Sequence, residues 1–356
     1  MRALLLALAL LAAPLHAATQ IVGTLDDIPV IDRLDVADQP AGQTQRFWFR
    51  GGDTATGQRW LVPVMVVKGA RPGPRLLVTA GIHGDELNGI DVLHRLVAGL
   101  DPAGLAGTLV AVPGLNPPGL LQSSREFSDT SSRSSANLNR EMPGTLAGTA
   151  AANHAARLWQ NLLRPNADLA VDLHTQSRGL VYVMYAFAST PRTQRMAELM
   201  LADAIKLDRG DKGTLENTLT DDGVPSITLE LGGPERFDEA MVTRGLGGLL
   251  NLMREQKMLP GAVSEPTTTI TGNALASVDA PRGGWIRLLA PLGSRIAQGQ
   301  PVAQLADAFG RTTDILTAPQ SGLIIMTATD PRAERGLPIA RILWTSPDPA
   351  CKLGCP

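Results

Sequence analysis

The chain has 356 residues, 44% of them hydrophobic and 19% charged, which supplies apolar material for one large core and a smaller second one. Its formal charge is only −2 and its basic residues are scattered, so the expected partner is a small molecule rather than nucleic acid or an anionic membrane. Past the amino terminus no apolar run approaches the roughly 20 residues that cross a bilayer, so no membrane span is expected.

At the amino terminus Arg2 precedes an apolar run from Ala3 to Ala13, then Pro14 and the small residues Ala17 and Ala18, which is the pattern of a secretory signal peptide over residues 1–17. The protein is therefore expected in the periplasm or outside the cell. Residues 19–69 read as short strands, with a hairpin formed by 46–50 and 59–67 around Gly-Gly-Asp-Thr-Ala-Thr-Gly. From Arg75 the period changes. Segments 76–79, 108–112, 169–173, 180–185 and 226–231 read as buried strands, and 86–100, 149–163, 192–206 and 237–256 as helices. Strands interleaved with helices predict an α/β/α sandwich on a mixed, largely parallel sheet, spanning residues 18–262. Residues 114–148 form a long loop rich in Ser, Pro, Gly and Asn, a length that usually carries function or lacks fixed structure. Residues 263–345 turn to short Gly-punctuated strands and read as a small all-β domain, followed by a tail, 346–356. Cys351 and Cys355 are the only cysteines, and in an export compartment they are a local disulfide or part of a loose tail.

Chemistry concentrates at expected strand ends. Gly81-Ile82-His83-Gly84-Asp85-Glu86 follows the strand 76–79, and ligands of open α/β sheets gather at the carboxyl ends of strands. Asp172-Leu173-His174-Thr175 sets a second His at the next such end. His83, Glu86 and His174 make the His₂Glu set of a catalytic zinc site, which leaves an open position for water. One zinc ion per chain is expected. Asp172 is placed to hydrogen-bond a ligating imidazole or to structure its turn. His94 and His154 fall inside expected helices and read as surface or packing residues. Glu230 sits in the apolar run 226–231, where a carboxylate needs compensation; facing the metal-activated water, it would act as general base. In the long loop, Asn139 and Arg140 suit a substrate carboxylate, and Arg125 suits the oxyanion of the scissile carbonyl.

Taken together, Gly-Ile-His-Gly-Asp-Glu, Asn-Pro-Pro-Gly with Arg125, Asn-Leu-Asn-Arg, Asp-Leu-His-Thr and Ile-Thr-Leu-Glu-Leu-Gly resemble the succinylglutamate desuccinylase and aspartoacylase family, within the zinc carboxypeptidase group. The resemblance runs from about Arg75 to Gln256. It implies an α/β/α zinc hydrolase that removes the acyl group of an N-acyl amino acid, with His83, Glu86 and His174 as metal ligands and Glu230 as the catalytic glutamate. It also implies Arg125 as the carbonyl-polarising arginine and Asn139 with Arg140 as the carboxylate clamp. The family usually has Asp where this chain has Asn137, and the segment from Arg125 to Asn137 is long and Ser-rich. The β domain resembles the one that follows the catalytic domain in this family, with a lipoyl-like flavour; residues 263–345 contain no lysine, so it is not a carrier and is expected to support or cover the active site. Two other functions compete. A metallocarboxypeptidase acting on exported or cell-wall peptides would use the same groups, and a non-catalytic binding protein would not need every ligand and Glu230 together.

Overall fold

The structure is a computed structural model and describes residues 18–127, 136–352 and 354–355. The export segment expected over residues 1–17 and part of the loop 114–148 lie outside the described residues. The first strands are β1 (Gln20–Leu25), β2 (Ile28–Arg33), β3 (Gln43–Asp53), β4 (Arg59–Lys68), β5 (Arg71–Ala80) and β6 (Ala106–Pro113). After them come β7 (Leu169–His174), β8 (Leu180–Tyr182), β9 (Met184–Ala188), β10 (Ala204–Leu207), β11 (Ser226–Leu231) and β12 (Ile270–Gly272). The α-helices are α1 (Asn88–Gly99), α2 (Pro117–Gln122), α3 (Ala150–Leu158), α4 (Pro191–Leu199), α5 (Leu215–Asp221) and α6 (Glu239–Glu255).

Eleven of these strands, all but β8, form one sheet in the order β1-β2-β3-β4-β6-β5-β7-β11-β9-β10-β12. Six of its ten pairings are parallel, so the sheet is mixed and largely parallel as expected. β6, β7 and β11 are buried at every residue because helices cover both faces, and this is why they are rich in apolar residues. Val92, Leu93 and Leu96 of α1 join Met196 and Leu199 of α4 and Leu249 and Leu252 of α6 in one core. Ala151, Ala155 and Leu158 of α3 and Leu215 and Leu219 of α5 fill the other.

Three elements depart from the sequence reading. The helix expected over 192–206 stops at Leu199: Leu201 takes a left-handed φ of 55° and the chain re-enters the sheet as β10. The strand expected over 180–185 is two strands, because β8 pairs away from the main sheet while β9 lies between β11 and β10. The seven-residue α5 has no counterpart among the expected helices, being too short to show a clear apolar period.

The remaining strands are β13 (Ala274–Asp279), β14 (Gly284–Leu288), β15 (Arg295–Ile296), β16 (Pro301–Ala306), β17 (Thr312–Thr317), β18 (Gly322–Ala328), β19 (Arg332–Ala333) and β20 (Pro338–Trp344). They form two antiparallel sheets, β13-β20-β18-β15 and β17-β16-β14-β19, around Val302, Leu305, Ile324 and Ile342. Strand β8 joins the first of them through β18, and Tyr182, Tyr185, Ile325, Met326 and Leu343 share a core at this junction. The chain after residue 263 thus first completes the main sheet with β12 and then builds the small sheets. Cys351 and Cys355 are joined as a disulfide. Among the described residues no helix is long and apolar enough to cross a membrane.

Candidate active site

The parallel strands β5 and β7 are neighbours, with Ala80 opposite Leu173, so their carboxyl ends deliver His83 and His174 to one place. Glu86 lies in the turn before α1, which starts at Asn88, and not in the helix as the sequence suggested. The turn packs very closely on its neighbour: a Cβ on Gly84 would lie 1.9 Å from the Gly119 carbonyl carbon, so no side chain fits there. Asn116 ties the two segments together. Its Oδ1 caps α2 by accepting from the Gly119 N–H at 2.9 Å, and its Nδ2 donates to the Ile82 carbonyl at 3.1 Å. Arg125 then follows α2 and turns its guanidinium to Glu86 (3.1 Å) and Ser177 (2.6 Å).

His83, Glu86 and His174 are buried, and their candidate ligand atoms all lie within 4.8 Å of one another. Glu86 Oε1 is 2.8 Å from His83 Nδ1, and Oε2 is 2.9 Å from His174 Nδ1 and accepts from the Thr175 N–H at 3.0 Å. The outer ring nitrogens face acceptors: His83 Nε2 meets Asn137 Oδ1 at 3.0 Å, and His174 Nε2 meets Asp172 Oδ2 at 2.9 Å. Asp172 is itself held by the Thr79 hydroxyl at 2.6 Å. With the protons placed on Nε2, two Nδ1 lone pairs and a carboxylate converge, and such a set demands a cation. The donors therefore fit a divalent transition-metal ion. In the metal-free protein a proton on His174 takes the place of that cation. Burial alone would raise the Glu86 pKa, yet the flanking His83 and His174 hold it well below the usual carboxylate range. Burial opposes charge on His174, but Asp172 and Glu86 overcome this and raise its pKa well above the ordinary imidazole value.

Glu230 stands opposite His174 in the β11–β7 register, buried, with no partner for its Oε2 among the described residues. Burial pushes its carboxyl up to about 8; His174 and Arg125 work against this and Glu86 and Asp172 add to it. The sheet thus faces the metal-ligand cluster with a carboxyl group suited to carrying a proton near neutrality. Arg140 lines the same cavity, of about 490 Å³, but its guanidinium donates to the Asn139 carbonyl (2.7 Å) and pairs with Asp211. Asn139 accepts from the Leu215 N–H at 2.8 Å, which fixes it to the start of α5. His94 is exposed on α1. His154 is a packing residue: Nδ1 accepts from the Gly52 N–H, Nε2 donates to the Leu115 carbonyl, and burial lowers its pKa to about 4. Sequence reasoning missed Ser177, which donates to Glu86 at 3.0 Å, and also Tyr182, Lys206, Asp208 and Arg341, all of which line the cavity. No local signal marks them, since their position depends on how distant strands pair.

Residues 72–256 match the family model described as the succinylglutamate desuccinylase/aspartoacylase catalytic domain. An N-alpha-acetyl-L-2,4-diaminobutyric acid deacetylase of Halomonas elongata is 29% identical over 265 residues, 69% of this chain and 74% of that protein. A succinylglutamate desuccinylase of Burkholderia orbicola is 32% identical over 191 residues, 48% of this chain and 53% of that protein. The product-bound structure of the ectoine utilization protein EutE (DoeB) from Ruegeria pomeroyi superposes with a TM-score of 0.75 at 25% identity, over 86% of this chain and 98% of that one. A succinylglutamate desuccinylase/aspartoacylase from Rhodobacter sphaeroides has the same fold, with a TM-score of 0.75 at 24% identity, over 87% of this chain and 98% of that one. With the family model covering residues 72–256 of its α/β region and the motifs His83 to Glu86, Arg125, Asn139, Arg140, His174 and Glu230 gathered at one cavity, the chain belongs to the succinylglutamate desuccinylase/aspartoacylase family.

Proposed function

We propose that the protein is a zinc-dependent hydrolase that cleaves the amide bond of an N-acyl amino acid to a carboxylate and an amine. The observation that carries this reading is the convergence of buried His83, Glu86 and His174 with the carboxyl of Glu230, whose Oε2 has no hydrogen-bond partner among the described residues, in one cavity of ligand size. Relatives named as deacylases of N-acetyl or N-succinyl amino acids support it. His83, Glu86 and His174 would hold the zinc ion. Bound there, it would supply Lewis acidity to the carbonyl and to the attacking water.

The chain's own groups do the rest. Arg125, held by Glu86 and Ser177 at the cluster, directs a guanidinium at the oxygen that gains charge when water adds to the carbonyl carbon. Glu230 takes a proton from that water and gives it to the departing nitrogen as the C–N bond breaks, because an amide anion is too poor a leaving group. Asn139 and Arg140 receive the α-carboxylate, which competes with Asp211 for the Arg140 guanidinium. Export is part of the proposal and rests on the sequence of residues 1–17. The test is a hydrolysis panel with the zinc-loaded protein: Nα-acetyl-L-2,4-diaminobutyrate, N-succinyl-L-glutamate, N-acetyl-L-aspartate and unblocked dipeptides. Turnover of N-acyl amino acids above dipeptides is expected; turnover of dipeptides alone would replace this reading with a carboxypeptidase.

A further inference from the structure

The carboxyl-terminal tail reaches the wall of the active-site cavity. Lys206 and Asp208, at the carboxyl end of β10, both line that cavity and form an ion pair in which the lysine is buried. Among the described residues Asp208 is the only ion-pair partner of Lys206, so the charge of this wall depends on where the Asp208 carboxylate stands. Its N–H donates to the Ala188 carbonyl at 2.8 Å, and its Oδ1 accepts from the Gly210 N–H at 3.0 Å. Gly354 of the tail packs directly on it. A Cβ on Gly354 would lie 2.8 Å from Asp208 Oδ1 and 2.9 Å from Asp208 Cα, and the φ of 101° there is one that glycine adopts without strain.

Main-chain pairing explains how the tail comes to this place. Lys206 lies opposite Gly272 in the parallel β10–β12 register, which sets Asn273 beside the residues that follow Lys206. Asn273 then holds the tail at both ends. Its side chain accepts from the Ser346 N–H at 2.7 Å and donates to the Ser346 carbonyl at 3.2 Å, and its own carbonyl accepts from the Cys355 N–H at 2.9 Å. The short turn Pro349–Cys351 presents the carbonyl of buried Cys351 to the Gly354 N–H at 3.0 Å, and the Cys351–Cys355 disulfide closes the loop around Gly354. A chain terminus held by so few hydrogen bonds frays, because every ordered residue costs backbone entropy, and the covalent link removes that freedom. The two cysteines are four positions apart, so the link constrains the tail and little else of the chain.

We infer that the Cys351–Cys355 disulfide is a redox-sensitive clamp on the active-site wall. Closed, it seats Gly354 on Asp208 and fixes the Lys206–Asp208 pair; opened, it frees the tail and weakens substrate binding without touching the metal ligands or Glu230. Cys351, Gly354 and Cys355 are thus positioning residues that act through Asp208. The effect on substrate rests on the amide-hydrolase reading. Opening takes two electrons and two protons, and a phosphine with water supplies both: the S–S bond breaks, two thiols form, and phosphorus is oxidised to the phosphine oxide. A clamp of this kind suits a compartment in which disulfides persist, in keeping with the proposed export.

The test compares the zinc-loaded oxidised protein, the same protein reduced with a phosphine, the double variant Cys351→Ser with Cys355→Ser, and Gly354→Ala. Free-thiol titration reports the state of the disulfide in each. With the best N-acyl amino acid of the hydrolysis panel, KM should rise about 3- to 10-fold on reduction, with kcat within about twofold and zinc content unchanged. The double variant should show the same KM and no further response to the phosphine. Gly354→Ala keeps the disulfide and displaces Asp208 directly, so it should raise KM while still oxidised. Hydrogen exchange gives a readout that needs no substrate: amides 206–210 should exchange faster on reduction and in both variants, while β7 and β11 stay as they were. A tail with no hold on the wall would speed exchange only over 349–355. An unchanged exchange rate over 206–210 on reduction, or an unchanged KM, would overturn the inference. If no N-acyl amino acid is hydrolysed at all, the amide-hydrolase reading fails by itself, and the exchange over 206–210 alone decides the clamp.

Discussion

Replacing Glu230 by Gln is the sharpest perturbation the site offers. Glu230 lies in β11 between β7 and β9, paired through its backbone with His174 and Tyr185, so its main chain is held on both sides. Its Oε2 has no partner among the described residues, and Gln has the same shape as the protonated acid, so the substitution removes no hydrogen bond seen at that atom and opens no cavity. His83, Glu86 and His174 are untouched, so metal content should match the wild type. Gln cannot pass a proton from water to the leaving nitrogen. Turnover should fall by about 10²- to 10⁴-fold, equivalent to about 3 to 5 kcal/mol of transition-state stabilisation. The same residue makes a second, independent mark on the metal-free protein. Between the ordinary carboxyl value of 4.5 and the folded value of about 8, the folded chain holds a proton that the unfolded chain has lost. Stability from this group is therefore full below the lower value and declines as pH rises through that window. Metal-free Glu230→Gln should lose less stability than the wild type between pH 5 and 8, read from denaturant midpoints at fixed m-value. Zinc content by atomic emission, initial rates and the two unfolding series together decide the matter. A variant with full metal and near-normal turnover would show that Glu230 carries no catalytic proton, and parallel pH–stability curves for the two proteins would show that the folded metal-free chain holds no extra proton there.

His174→Ala should abolish most zinc binding, measured by equilibrium dialysis, because it removes one of three converging donors; full occupancy in that variant would take His174 out of the site. Asp172→Asn keeps the acceptor for His174 Nε2 but withdraws its charge, and should weaken zinc affinity about 10- to 100-fold in a chelator competition. Arg140→Ala should reduce kcat/KM about 10- to 100-fold for substrates with a free α-carboxylate and far less for their amides, and an equal loss for both would make Arg140 a brace for Asp211 alone.

The metal-ligand cluster was legible in the sequence because its signals are local. His83 and Glu86 are three residues apart in one turn, and His174 ends a strand whose apolar run is complete in six residues. The sheet was legible from short, dense apolar segments bounded by turn residues: β6, β7 and β11 are buried at every residue, although β11 alternates Ser226, Thr228 and Glu230 with Ile227, Leu229 and Leu231. Elements that failed to show themselves depend on tertiary partners. Nothing in Leu180–Tyr182 distinguishes it from Met184–Ala188, yet one strand pairs with β18 and the other with β11. The end of α4 rests on one left-handed residue, Leu201, whose side chain gives no warning of it. Arg341 was read only as part of a β domain, since its arrival at the cavity requires three strand pairings that no periodicity encodes.

Asn137 shows why the Asn-Leu-Asn-Arg segment works as one unit. Its Oδ1 accepts both from His83 Nε2 at 3.0 Å and from the Asn139 N–H at 2.9 Å, so the atom that orients the His83 ring also shapes the turn that carries Asn139 and Arg140. Asn139 in turn accepts from the Leu215 N–H and so fastens that turn to α5, and Gly213, whose Cβ would lie 2.2 Å from the Arg140 carbonyl oxygen, lets the preceding loop close against it. The orientation of the His83 ring and the placement of Asn139 and Arg140 are thereby held by the same hydrogen bonds. An amide at position 137 keeps both acceptor contacts that an aspartate would make, while leaving the negative charge behind the two imidazoles to Asp172 alone. The two histidines are then unequal: His174, backed by a full carboxylate, is the more strongly polarised ring, and His83 is the one whose placement depends most on the fold of the Asn137–Arg140 turn.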